Sequence, residues 1–372
     1  MEEYKKVFGI DKRSRFEKEK EIYEKIEERL KFLSNENNII DEINKKKELL
    51  DLDKEEKEKE YREIFCSKEG FKYILKYIRS EQKENEFIIY LEKADCVLKE
   101  FARIFHEHFT FPQIRYIMYQ LLQGIMKLHN LTYDLNIFHN DLKTENIFVI
   151  INDKDMKIEF EKINNKKENK LEGISNIGEF LQKLLKVCTF KIGDFDLSHV
   201  IRGEFKNIDF IPGPIEDIID VDKEDCYELG CILYYLKAGQ YFQYNHQYSN
   251  YSLPIFKKPS FEKKIKITSN YVKLLNKMLQ VDKNFRLNCD DILSMDFFKI
   301  DNIKNVDLLN TEMENDTKFI DFDKDIYDCF LNDKKTIFYL PIEDRGTFKL
   351  KSEKKVYKIT QMIGDFFISN NI

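Results

Sequence analysis

The chain has 372 residues, 42% of them hydrophobic, enough to bury one large core or two medium ones. Its 62 basic and 68 acidic residues leave a net charge of −6, so no global positive field points to nucleic acid. No apolar run reaches the ~18 residues of a membrane span, and the opening MEEYKKVFGIDKRSRF lacks the apolar core of a signal peptide. The seven cysteines are scattered without CxxC spacing and read as reduced thiols of an intracellular protein, nuclear or cytoplasmic.

Residues 1–66 are highly charged, with no glycine between Gly9 and Gly70. Within them RFEKEKEIYEKIEERLKFL sets Phe16, Ile22, Tyr23, Ile26, Leu30 and Leu33 at near-helical spacing, and LDKEEKEKEYREIF reads as a second helix. Residues 71–92 read as two strands around a polar turn. FPQIRYIMYQLLQGIMKLHN is the clearest helix, with Pro112 suited to its first turn. Residues 151–189, rich in Lys, Asn and Glu, interrupt the helical zone and read as a surface insertion dispensable for folding, part disordered, with EFLQKLLKVC docking as a short helix. Residues 301–372 are acidic, then Lys-rich, and suggest no role.

Four motifs then fall in one order: FHNDLKTENIFV, with Asp141, Lys143 and Asn146 two and three residues apart; FKIGDFDLSHV, with Asp194-Phe195-Asp196; DCYELGCILYYL, with Asp225 opening an apolar helix; and DKNFRLNCDDIL, with Arg286. An acid, a base and an amide held in one short loop suit phosphoryl transfer, which asks for positioning and charge neutralisation more than covalent chemistry. The ordered set resembles the protein kinase superfamily, whose catalytic loop is written H-R-D-L-x-x-x-N and whose metal loop is D-F-G.

That resemblance, over roughly residues 71–300, implies a bilobal α+β fold. It implies a small N-lobe at 12–92 with a degenerate β-sheet and extra helical character, and a large, mainly α C-lobe at 97–300. Residues 1–11 and 301–372 would be extensions. The resemblance makes Asp141 and Lys143 catalytic, with Asp141 taking the proton of the attacking hydroxyl. It makes Asn146 and Asp194 the Mg²⁺ ligands. In FIIYLEKADCVLKEF it makes Leu91 the gatekeeper, with the backbone of Glu92 to Ala94 meeting the adenine of ATP. Glu216 would pair with Arg286. The loop wording is most similar to the Wee kinases, with the LAMMER kinases as runner-up, which points to a protein substrate, possibly a cyclin-dependent kinase tyrosine. No nucleic-acid or membrane partner is implied.

The small lobe departs from the family pattern. Residues 10–69 hold no glycine for a phosphate-covering loop. IIDEINKKKELL offers Lys45, beside Lys46 and Lys47, as the phosphate-binding lysine, although strict alignment puts Asn44 there. Glu60, or Glu63, would be its helical partner. Asp196 replaces the family's glycine. Two readings follow: an active ATP-dependent protein kinase, or a pseudokinase serving as a binding or scaffolding module. Asn140 at the family's Arg position, and a segment Leu197 to Gly213 whose one hydroxyl is Ser198, imply activity independent of phosphorylation there.

Overall fold

The computed structural model describes residues 3–50, 55–166, 171–202, 215–239, 265–280, 286–298, 317–320, 349–352 and 355–358. Its small lobe is an antiparallel sheet of β1 (Glu3–Gly9), β2 (Tyr77–Gln82) and β3 (Glu86–Glu92), with β3 in the centre. The register pairs Lys6 with Ile89 and Phe8 with Phe87. Helix α1 (Arg13–Phe32) lies against this sheet. Phe16 meets Phe8 and Phe87 at ring separations of 5.8 and 5.1 Å, and Ile22, Tyr23 and Ile26 are buried behind it. Two more helices follow, α2 (Glu36–Leu50) and α3 (Glu55–Tyr61), the latter running into a π turn at Arg62–Cys66.

The large lobe is mainly helical. It begins with β4 (Cys96–Val97), α4 (Leu98–Phe105) and α5 (Phe111–His129). Thr110 and Gln113 close a capping box at the start of α5, with Pro112 in the first turn as the sequence predicts. Helix α5 is buried on most sides, so it forms the centre of the lobe. Four short strands follow: β5 (Leu135–Phe138), β6 (Ile147–Ile151), β7 (Cys188–Ile192) and β8 (His199–Arg202). Strand β6 pairs with β7, and β5 with β8. Between β6 and β7 stand α6 (Lys154–Asn164) and α7 (Ile177–Val187). Helices α8 (Ile215–Ala238), α9 (Ser269–Met278) and α10 (Cys289–Leu293) complete the core. Strand β9 (Ile265–Thr268) pairs with β10 (Thr317–Ile320), and β11 (Lys349–Ser352) pairs with β12 (Lys355–Lys358). Among the described residues no helix is long and apolar enough to cross a membrane.

The bilobal α+β arrangement is the one expected, but two parts differ. The small-lobe sheet takes a strand from Glu3–Gly9, inside the stretch assigned to an N-terminal extension. Most of this strand is charged or exposed, and only Phe8 is buried, so it carries no apolar alternation to read. The second difference is the 151–189 insertion, whose first half is an ordered helix. Asp153 caps α6 by accepting from the Met156 N–H, and Phe160 and Ile163, three residues apart, turn inward. Phe160 stacks on Phe101 at 5.8 Å, and Lys157 pairs with the buried Asp95 carboxylate at 2.6 Å. Average composition concealed this, because the Lys, Asn and Glu side chains occupy the outer face of a helix with a narrow apolar stripe.

Candidate active site

The loop of residues 139–146 lies between the end of β5 and the start of β6. Its conformation is set from below by Asp225, a fully buried carboxylate on α8. The backbone N–H groups of His139 and Asn140 donate to it at 2.8 and 2.7 Å, and the His129 ring lies 2.7 Å from it. A buried carboxylate must be paired in this way or its desolvation is uncompensated. Asn140 is held at φ +56°, a left-handed conformation that Asn tolerates better than most side chains. The half-buried Glu228 accepts from the Leu142 N–H at 2.6 Å, and desolvation of its carboxyl raises its pKa well above the ordinary carboxylate value.

With the loop so fixed, three polar side chains converge. Lys143 Nζ donates to Asp141 Oδ2 at 2.6 Å, and Asn146 Nδ2 donates to the Asp141 carbonyl and to Oδ2 at 2.8 and 3.0 Å. The pairing of Ile147 with Ile192, and the Gly193 N–H donating to the Asn146 carbonyl at 3.1 Å, then bring Asp194 beside them. Gly193 has no room for a side chain: a Cβ there would stand 2.9 Å from the Phe148 ring and 3.1 Å from Leu75. Asp194 itself has φ +70°.

The small lobe supplies the cation. Lys6 Nζ on β1 lies 2.5 Å from Asp194 Oδ1 and 2.6 Å from Glu19 Oε2 on α1. Burial works against the Lys6 charge, but the two carboxylates outweigh it and raise its pKa above the ordinary lysine value. Glu19 is completely buried, with Oε1 unpartnered, and burial lifts its carboxyl to about 7 despite the neighbouring Lys6. Burial also acts against the Asp194 charge, but Lys6 prevails and holds that carboxyl below its ordinary range.

A continuous stack of rings ties the two lobes behind this cluster. Tyr77 stacks on Tyr23 at 5.7 Å, Tyr23 meets Phe195 edge-on at 5.0 Å, and Phe195 lies 5.3 Å from His139. His139 Nε2 sits 3.0 Å from the Gly193 carbonyl, while Nδ1 receives the Asp141 N–H at 3.3 Å. Those partners fix the neutral tautomer protonated on Nε2. Asp196 turns toward α1, where Arg15 Nη1 lies 3.3 Å away. Ser198 is buried and donates to the His139 carbonyl at 3.1 Å, so its hydroxyl is not open to modification.

The structure therefore brings Asp141, Lys143, Asn146 and Asp194 together. It does not bring Lys45 or Glu60 there: Lys45 is exposed on α2 and Glu60 is exposed on α3. The stretch whose missing glycines suggested a lost phosphate loop folds largely as α1 to α3, so it does not occupy that place in the fold. The residues missed were Lys6 and Glu19. Glu19 left a signal, since it stands three residues from both Phe16 and Ile22, on the apolar stripe of α1. A charge in such a stripe demands a partner. Leu91 is buried at the end of β3. The Glu92 backbone N–H is already given to the Lys76 carbonyl at 2.9 Å, and its side chain meets Lys191 at 2.7 Å. Ala94 is half-buried in the following linker. The Glu216 side chain, and with it the expected pair to Arg286, lies outside the described residues; Arg286 meets Glu224 at 3.3 Å and donates to the Lys223 and Gln280 carbonyls.

Among the described residues no three His, Cys, Asp or Glu side chains gather as a metal cage. The Asp194 carboxylate and the Asn146 amide nevertheless suit Mg²⁺, which binds through one or two protein oxygens and takes its remaining ligands from phosphates and water. A separate cavity of about 490 Å³ lies between Arg29 and Phe32 of α1 and Leu131 to Leu135, away from these residues.

Residues 33–165 match the protein kinase domain family. The matched stretch holds Leu91, Asp141 and Asn146, while Lys6, Glu19 and Asp194 lie outside it. The chain is also 26% identical over 249 residues, 62% of its length, to a protein of Dictyostelium discoideum described as a probable serine/threonine-protein kinase, fhkD. It spans about 29% of the length of that relative. The bilobal fold is consistent with that of a protein kinase, and both matches are likenesses to protein kinases.

Proposed function

We propose that this protein transfers the γ-phosphoryl group of ATP to a protein hydroxyl. The observation that carries the reading is the convergence of Lys6 and Glu19 from one lobe on Asp194, beside Asp141, Lys143 and Asn146 of the other. In this reading Asp141 accepts the proton of the attacking hydroxyl. Lys143, 2.6 Å from it, neutralises charge on the group in transfer. Lys6 binds phosphate oxygens, and Glu19 fixes its position. Asp194 and the side-chain amide oxygen of Asn146 would hold Mg²⁺, which would supply charge neutralisation at the phosphates. Leu91 and the linker through Ala94 border the adenine.

Serine and threonine are the favoured acceptors, because the relative is described as a serine/threonine-protein kinase. The Wee-like alternative, directed at a tyrosine of a cyclin-dependent kinase, has only the wording of the catalytic loop behind it. A pseudokinase reading draws on two observations: Asp196 replaces glycine, and Lys6 occupies an Asp194 oxygen directly. ATP titration with and without Mg²⁺, followed by transfer to mixed Ser/Thr and Tyr peptides, tests all of these. Mg²⁺-dependent binding and labelled Ser/Thr peptides are expected. Binding without transfer would favour the pseudokinase, and labelling confined to Tyr would favour the Wee-like reading.

A further inference from the structure

The buried stripe of α1 carries a second charge, Arg29, whose partners lie outside the small-lobe sheet. Arg29 Nη1 and Nη2 reach the two oxygens of Glu42 on α2 at 2.7 and 3.2 Å, and Nη2 also donates to the Phe65 carbonyl at 3.1 Å. The pair is well shielded, with Arg29 7% and Glu42 14% exposed. Tyr61 donates its hydroxyl to Glu42 at 2.9 Å. The same segment grips the large lobe. Lys127 of α5 donates to the Ile64 and Phe65 carbonyls at 3.2 and 3.0 Å. The Tyr133 ring lies 6.5 Å from Tyr61 and 5.9 Å from Phe65, with the Lys46 ammonium 4.8 Å from its centre. The Phe65 carbonyl thus receives one donor from α1 and one from α5.

From this geometry we infer that α2 and the segment from α3 through the π turn, residues 55–66, are a brace built into the chain, which fastens α1 to the large lobe and so keeps Glu19 on Lys6. Arg29, Glu42 and Tyr61 are positioning residues, none of which reaches the cluster at Asp194. Any swing of α1 away from the cleft must separate the shielded Arg29–Glu42 pair, and a buried charge stripped of its partner is strongly disfavoured. The low-lying Lys127 ammonium fits this picture: burial, then the nearby Arg29, brings its pKa down to about 8, which marks the junction as shielded from water. The consequence for nucleotide rests on the kinase reading above. The mechanical claim does not.

The test is Glu42→Gln in the full chain, read by hydrogen exchange and by steady-state kinetics. The expected result is faster exchange of the α1 amides with α8 unchanged. The Michaelis constant for ATP should rise about tenfold while kcat stays within about twofold, because saturating nucleotide restores the competent arrangement. Tyr61→Phe, which deletes one hydroxyl, should move both readouts the same way by a smaller factor, and it decides the matter if Glu42→Gln does not fold. Unchanged α1 exchange in the folded variants would overturn the brace whatever the enzyme does. Faster α1 exchange in a protein that binds no ATP would uphold the brace and sink the kinase reading instead.

Discussion

The two halves of the cleft are built on different scales. The large-lobe half takes Asp141, Lys143 and Asn146 from one loop, and their mutual contacts span two to five residues. The small-lobe half joins Lys6 to Glu19 across 13 residues and to Asp194 across 188. A loop that carries its own chemistry keeps it under any register. A site assembled from a strand and a helix depends on register and on which helical face turns inward. The large-lobe half should therefore be the more tolerant of packing changes and the less tolerant of changes to its own side chains.

The largest effects are expected from those side chains. Asp141→Asn should lower the transfer rate by about 10²–10⁴, the usual contribution of a general base, while ATP affinity stays within about threefold. Asp194→Asn should instead remove the Mg²⁺-dependent part of that affinity. Isothermal titration alongside single-turnover assays separates the two, and equal effects on binding would break the division of roles.

Next in size is the packing of the insertion. Phe160 is fully buried on Phe101, so Phe160→Ala should cost about 3–5 kcal/mol of stability. A urea melt checks this. A cost below about 1 kcal/mol would restore the view of residues 151–189 as dispensable.

The smallest expected effect is on pH. With Glu19 titrating at about 7, acidification below that value neutralises the partner of Lys6, so ATP affinity should weaken several-fold between about pH 8 and 6. The sign for stability is opposite. Glu19 holds its proton more tightly folded than unfolded, so this group adds stability as pH falls from about 7 through its ordinary value of 4.5, and loses it as pH rises. Affinity flat across that window, or unaltered in slope by Glu19→Gln, would contradict the role given to Glu19.

The same contrast explains what could be read in advance. The loop of residues 139–146, Asp194, the helix around Pro112 and the strands read over residues 71–92 all carry local signals; the helix stands at Phe111–His129, and the strands at Tyr77–Gln82 and Glu86–Glu92, after a 3-10 turn at Glu69–Tyr73. Strand β1 carries almost none, because its inward side presents one apolar residue and one lysine. Without that strand, the run Lys45 to Lys47 offers the lysine in sequence, yet it stands on α2, in the brace. Two charges in the apolar stripe of α1, Glu19 and Arg29, carry the signal that the strand lacks. Each is buried, and each identifies a long-range partner once it is asked what satisfies it: Lys6 for one, Glu42 for the other.

The claim that Lys6 is the cation of the cleft is tested most directly by a lysine-acylating ATP analogue, with the modified peptide identified by mass spectrometry. Lys6 lies within 2.5 Å of Asp194, whereas Lys45 is exposed on α2. Acylation should fall on Lys6 and disappear when excess ATP is present. Acylation of Lys45 with Lys6 untouched, in the same ATP-protectable manner, would contradict the account.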